Sequence, residues 1–107
     1  MSKLVAGNWK MFGNKDMIYD LKKIDQHCND SKCEVAICPP FPLISTAYEQ
    51  TKNIKIGAQN CHININGAHT GEVSAEMLIE VGAQLILVGH SERRQDNYET
   101  NEITVMR

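Results

Sequence analysis

Four short apolar runs set the tightest limit on the fold of this chain. They are Leu4-Val5-Ala6, Val35-Ala36-Ile37-Cys38, Ile54-Lys55-Ile56-Gly57-Ala58 and Leu85-Ile86-Leu87-Val88. Each is too short for a helix and rich in residues that suit a buried strand. Helical patterns separate them. Met17, Ile18, Leu21, Ile24 and Cys28 recur at helix spacing behind Asn14, a candidate N-cap. Pro42 suits a first helical turn, and Leu43, Ile44, Ala47 and Tyr48 then share a face. A long polar loop follows the third run. Ser74 then offers a second N-cap, Met77, Leu78 and Val81 form a face, and Gly82 sits at a C-terminal cap position. Glu99 to Ile103 looks like the start of a further helix.

The order is therefore βαβαβαβ with part of a final helix. Such alternation predicts an α/β fold with parallel strands. The 107 residues suffice for one domain, and 42% hydrophobic with 22% charged residues marks a globular chain. The net charge of -2 comes from interspersed acids and bases, which leaves no basic stripe for nucleic acid or an anionic membrane. No apolar run approaches the ~20 residues of a membrane span. The N-terminus also lacks an apolar stretch of signal-peptide length, so a cytoplasmic protein with reduced thiols is expected. Cys28, Cys33 and Cys38, with His27 and His62, follow no zinc-ligand spacing, so no metal is expected.

In a parallel α/β sheet the carboxyl ends of all strands share one edge, where ligands bind. The residues just past the four runs include Asn8 and Lys10, Pro39 and Pro40, Gln59 and Asn60, and His90, Ser91 and Glu92. The first and last sets carry the useful chemistry. Lys10 supplies a cation for a phosphate or a developing oxyanion, Asn8 an amide, and His90 a titratable ring. Taken singly, each reads as an ordinary surface or hydrogen-bonding residue, and Glu92-Arg93-Arg94 as an exposed ion-paired cluster. No glycine-rich phosphate loop is present.

The motifs themselves carry a resemblance. Ala6-Gly7-Asn8-Trp9-Lys10-Met11 and Val88-Gly89-His90-Ser91-Glu92-Arg93-Arg94 are similar to the segments closing the first and fourth strands of the triosephosphate isomerase family. Ile37-Cys38-Pro39-Pro40-Phe41, Gly57-Ala58-Gln59-Asn60 and Gly67-Ala68-His69-Thr70-Gly71-Glu72-Val73-Ser74-Ala75 match in between, in the family's order. The resemblance implies a parallel (β/α) barrel cut to about four strand–helix units. Residues 1–107 would be the N-terminal half of a single (β/α)8 domain, ending within the helix after strand 4. An eight-stranded barrel of this kind takes ~250 residues.

Matching positions imply roles. Asn8 and Lys10 resemble the substrate-binding pair, with Lys10 holding the phosphate and balancing charge on an enediolate. His90 resembles the electrophile that polarises the carbonyl, and this family is itself a standard example of an imidazole kept neutral by a helix N-terminus. Ser91 belongs to that helix start, and Glu92 resembles an acid supporting Lys10. The implied reaction interconverts dihydroxyacetone phosphate and glyceraldehyde 3-phosphate, in glycolysis and gluconeogenesis, without a cofactor. The loop carrying Thr70, Gly71 and Glu72 implies a homodimer for the full-length relative. His69 and Phe12 depart from the residues common at their places. The family's glutamate base and phosphate loops follow later strands, so 1–107 alone is expected to be inactive. A non-enzymatic half-barrel that serves assembly or binding is the alternative, and a different sugar-phosphate enzyme on the same barrel is a third reading.

Overall fold

The computed structural model describes residues 3–28 and 33–89. Its elements run β1 (Lys3–Asn8), α1 (Lys15–His27), β2 (Cys33–Cys38), a 3-10 turn (Phe41–Leu43), α2 (Ile44–Gln50), β3 (Lys55–Ala58), α3 (Ala75–Glu80) and β4 (Leu85–Ile86). The four strands form one sheet in the order β1-β2-β3-β4. Every pair is parallel, with Val5 beside Val35, Ile37 beside Ile56, and Ala58 beside Ile86. The expected half-barrel of strand–helix units is thus present. The helix expected after the fourth strand lies outside the described residues.

Helix starts follow the sequence signals. Asn14 and Ser74 each accept a hydrogen bond from a backbone N–H three residues on, at Met17 and Met77. These are N-caps that satisfy otherwise orphaned donors. The 3-10 turn holds Pro42 in its first positions, where a missing N–H costs nothing. Past α3, Gly82 adopts φ 109°, and the Tyr48 ring occupies the space a Cβ would need. Any other residue there would be strained twice.

The core joins three helices to the sheet. Ile18 and Leu21 of α1, Ile44 and Ala47 of α2, and Leu78 of α3 meet Ile56 and Ala58 of β3. Neighbours in the ladder point to the same side, so Ile37 and Ile86 join this face. Burying each large aliphatic side chain contributes about 1.5–3 kcal/mol. β1 differs: Leu4 is 52% and Val5 57% exposed, although successive residues face opposite sides of the strand.

Three details depart from the periodicity. The buried line of α1 is Ile18, Leu21 and Asp25, while Ile24 remains 45% exposed and Met17 is also exposed. On α3 only Leu78 is buried, and Met77 and Val81 are exposed. β4 spans Leu85–Ile86 rather than reaching Val88, although the Leu87 N–H still donates to the Ala58 carbonyl at 2.8 Å.

The rotation of α1 has a clear cause in Asp25, which is only 5% exposed. One carboxylate oxygen accepts from the Asn53 N–H at 2.7 Å and the Ile54 N–H at 2.8 Å, and the other from the Lys52 N–H at 3.0 Å. The Asn53 side chain donates back to the Asp25 carbonyl at 2.9 Å. The helix therefore turns a carboxylate, not Ile24, toward the entry to β3. Hydrogen bonds to a charged acceptor contribute more than neutral ones, and losing the acceptor strands donors that are part-buried at Lys52 and Asn53 and buried at Ile54.

Two measurements follow from this packing. Asp25→Ala leaves those three N–H groups without their acceptor and lowers unfolding stability by about 2–4 kcal/mol in urea titration. Asp25→Asn, which keeps one acceptor oxygen, loses less. Burial pushes the Cys38 thiol up from 9.0 to about 11. The thiolate is the reactive form, so at pH 8 an alkylating reagent labels half-buried Cys28 well before Cys38. The native state holds the Cys38 proton more tightly than the unfolded chain. This contribution to stability is present below pH 9 and falls as pH rises toward 11.

Candidate functional site at the carboxyl edge of the sheet

β1 ends at Asn8, and the next peptide continues the ladder, with the Trp9 N–H donating to the Cys38 carbonyl at 3.1 Å. The chain then turns sharply. Lys10 has φ 57°, the one positive value at a non-glycine position among the described residues. A side chain in this left-handed region costs about 1–3 kcal/mol and persists only where its surroundings fix it.

Two side chains supply that fixing. The Asn8 Oδ1 accepts from the Lys10 N–H at 2.8 Å, an Asx-type turn that suits left-handed backbone. From the end of β3, Gln59 Nε2 donates to the Lys10 carbonyl at 2.8 Å and to the Cys38 carbonyl at 2.9 Å. One amide thus ties the turn after β1 to the end of β2. Trp9 packs on the far side of the loop, over Gly13, whose φ is 118°. A Cβ there would stand 2.8 Å from the indole, so only glycine admits the ring.

Asn8 and Lys10 therefore stand together, in a turn held from two sides, with the Lys10 side chain exposed at the strand ends. In the sequence, Gln59 is simply a residue past the third run. Its role depends on a contact across 49 residues, which no local pattern encodes. The described residues end at Gly89, with φ 66°. His90, Ser91 and Glu92 lie outside the described residues. A buried carboxyl-edge neighbour, Asn60, follows Gln59.

Thr70, Gly71 and Glu72 form the exposed tip of the long loop between β3 and α3. The His62 N–H donates to the Val73 carbonyl at 2.7 Å and closes the loop at its base. Near the tip, the His69 N–H donates to Gly67 and the Glu72 N–H to His69, both at 2.9 Å. The His62 and His69 rings stack with centroids 4.0 Å apart, and a cavity of about 130 Å³ lies between them and α3. The roomier groove, about 220 Å³, lies elsewhere, between α1 and α2 beside Lys15, Tyr19 and Lys22. It holds none of the strand-end residues. Among the described residues no His, Cys, Asp or Glu cluster could hold a metal, and no helix is long and apolar enough to cross a membrane.

Comparison with known proteins agrees with the strand-end motifs. A family model described as triosephosphate isomerase matches residues 3–106. A triosephosphate isomerase of Ruegeria sp. is 46% identical over 97 residues, covering 91% of this chain and 39% of that protein. One from Mycoplasma capricolum is 41% identical, covering 92% and 40%. The crystal structure of triosephosphate isomerase from Bartonella henselae superposes with a TM-score of 0.91 at 39% identity, covering 96% of this chain and 44% of that one. The chain thus spans about 40% of the length of the curated relatives it matches.

The Gln59 tie can be tested directly. Trp9 is the sole tryptophan, so its emission reports on this loop alone. Gln59→Leu keeps the bulk but removes both donated bonds. Trp9 should become more accessible to acrylamide quenching while the far-UV circular dichroism stays unchanged. Equal quenching of the two proteins would show that the turn does not need Gln59.

Proposed function

This chain belongs to the triosephosphate isomerase family, and from that premise we propose that it supplies the substrate-binding and carbonyl-polarising half of such an isomerase. The reaction is interconversion of dihydroxyacetone phosphate and glyceraldehyde 3-phosphate in the cytoplasm. The observation that carries the reading is the constrained turn at Asn8 and Lys10. Backbone strain held by two dedicated side chains is what a site needs to present one cation in one place.

In this reading Lys10 opposes the substrate phosphate and the negative charge that develops on the enediolate oxygens. Asn8 shapes the turn and offers its amide nitrogen to substrate. His90 donates to the carbonyl oxygen and then moves a proton between the two oxygens. Ser91 supports it, and Glu92 sets the charge around Lys10. A carboxylate base beyond the fourth strand takes the proton from one carbon and returns it to the next. Residues 1–107 then form the N-terminal half of one (β/α)8 domain, ending within the helix after strand 4. Thr70, Gly71 and Glu72 reach a second copy of the protein beside its site, which makes the complete protein a homodimer.

The decisive experiment uses a fusion of residues 1–107 to the remaining barrel of the Ruegeria relative. We expect it to isomerise both triose phosphates. Lys10→Met should lower kcat by about 10²–10³, and His90→Asn by about 10²–10⁴. The 107-residue chain alone should show no turnover above background. A folded but inert fusion would favour a binding or assembly role instead, and an active fusion indifferent to His90→Asn would remove His90 from the mechanism.

A further inference from the structure

We propose that His62 makes the loop between β3 and α3 acid-sensitive: the loop keeps its closed shape only while this imidazole is neutral. The significance for assembly rests on the reading that Thr70 to Glu72 meet a second copy.

The Asn64 backbone N–H donates to His62 Nδ1 at 2.9 Å. A backbone N–H can only donate, so Nδ1 must be the unprotonated nitrogen and the ring proton sits on Nε2. His62 cannot slide away to relieve a change, because its own N–H is bound to Val73 at 2.7 Å and it bridges to Ser74. The second ring is more tolerant. The Asn64 side-chain amide meets His69 Nε2 at 3.0 Å, and an amide can turn to serve either a donor or an acceptor.

Protonating Nδ1 sets two donors face to face where a hydrogen bond stood. Protonating His69 as well places two cations in a stack of 4.0 Å. The charged groups around the pair are few. Among the described residues Glu72 is the one carboxylate lining the cavity; α3 contributes Met77, with Ser74 at its N-cap, and carries Glu76 in its first turn outside that lining. Glu72 can attract a protonated ring, but it cannot give Nδ1 back its acceptor role. Asn64 is exposed, so its N–H can turn to water by releasing the segment from Ile63 to Asn66. Opening therefore takes up a proton, and acid favours it. The window for comparison runs from about pH 8, where an imidazole is ordinarily neutral, to about pH 5.5, where it is ordinarily charged.

The test is nitrogen-15 NMR of the 107-residue chain across that window. At pH 8 the His62 ring should show the Nε2–H tautomer and the Asn64 amide should be protected. At pH 5.5 Asn64 exchange, corrected for its intrinsic pH dependence, should rise about tenfold, with the midpoint of the His62 ring. His69→Phe, which keeps a flat ring without a second charge, should retain this response. His62→Phe should leave Asn64 equally unprotected at both pH values. An Asn64 amide that ignores His62 titration, or a pH response that survives His62→Phe, overturns the proposal. Sedimentation of the fusion with the remaining barrel at both pH values reports separately on assembly: a fusion that never dimerises removes the partner reading and leaves the loop response to stand on the NMR.

Discussion

The carboxylate of Asp25 is the contact on which the arrangement of the sheet most depends. It reaches from α1 to the three successive N–H groups at Lys52, Asn53 and Ile54, immediately before β3. Those donors precede a strand, where no ladder partner can yet serve them, and they are close to the core. By collecting all three, one residue fixes where α1 sits, how it is rotated, and where β3 begins. Ile54 and Ile56 then enter the core together with Ile18 and Leu21. A buried charge with this many donors is a directional restraint, whereas the aliphatic contacts around it are not.

The carboxyl edge follows the same logic with fewer residues. Lys10 is held in an unfavourable backbone conformation by Asn8 from its own strand and by Gln59 from two strands away. The strain is local, and the restraint is tertiary. The register of β1 with β2 brings Asn8 beside Cys38, and Gln59 bonds to the Cys38 carbonyl as well as to Lys10. The position of the cation is therefore a property of three strands, not of the loop that carries it.

Much of this is legible in the sequence. Strand runs, both N-caps and the cap glycine at Gly82 are written in short-range patterns, and the structure follows them. Asn8 and Lys10 are legible as neighbours because both belong to one strand end. Asp25 is not, because an acid on an amphipathic helix reads as solvent-facing until its distant partners are known. Ile24 misleads for the matching reason: helix spacing places it on the apolar stripe, but the stripe is rotated by a polar contact 27 to 29 residues away. Gln59 is hidden in the same way. The expected roles of His90, Ser91 and Glu92 come from motif resemblance, and they fall outside the described residues.

The sequential order of the strands bears on how the sheet is made. Val5 lies beside Val35, Ala36 beside Lys55, and Gly57 beside Leu85, so each strand finds its partner within about thirty residues of chain. Loop closure costs grow only with the logarithm of length, and all these closures are short and alike. Among the four described strands, none must wait for one synthesised much later. A ribosome emits the chain from its amino end, so every new strand emerges beside a template already exposed. Parallel sheets are slow to assemble when their pairings are distant. Here the topology lets β1 seed a sheet that grows in the direction of translation.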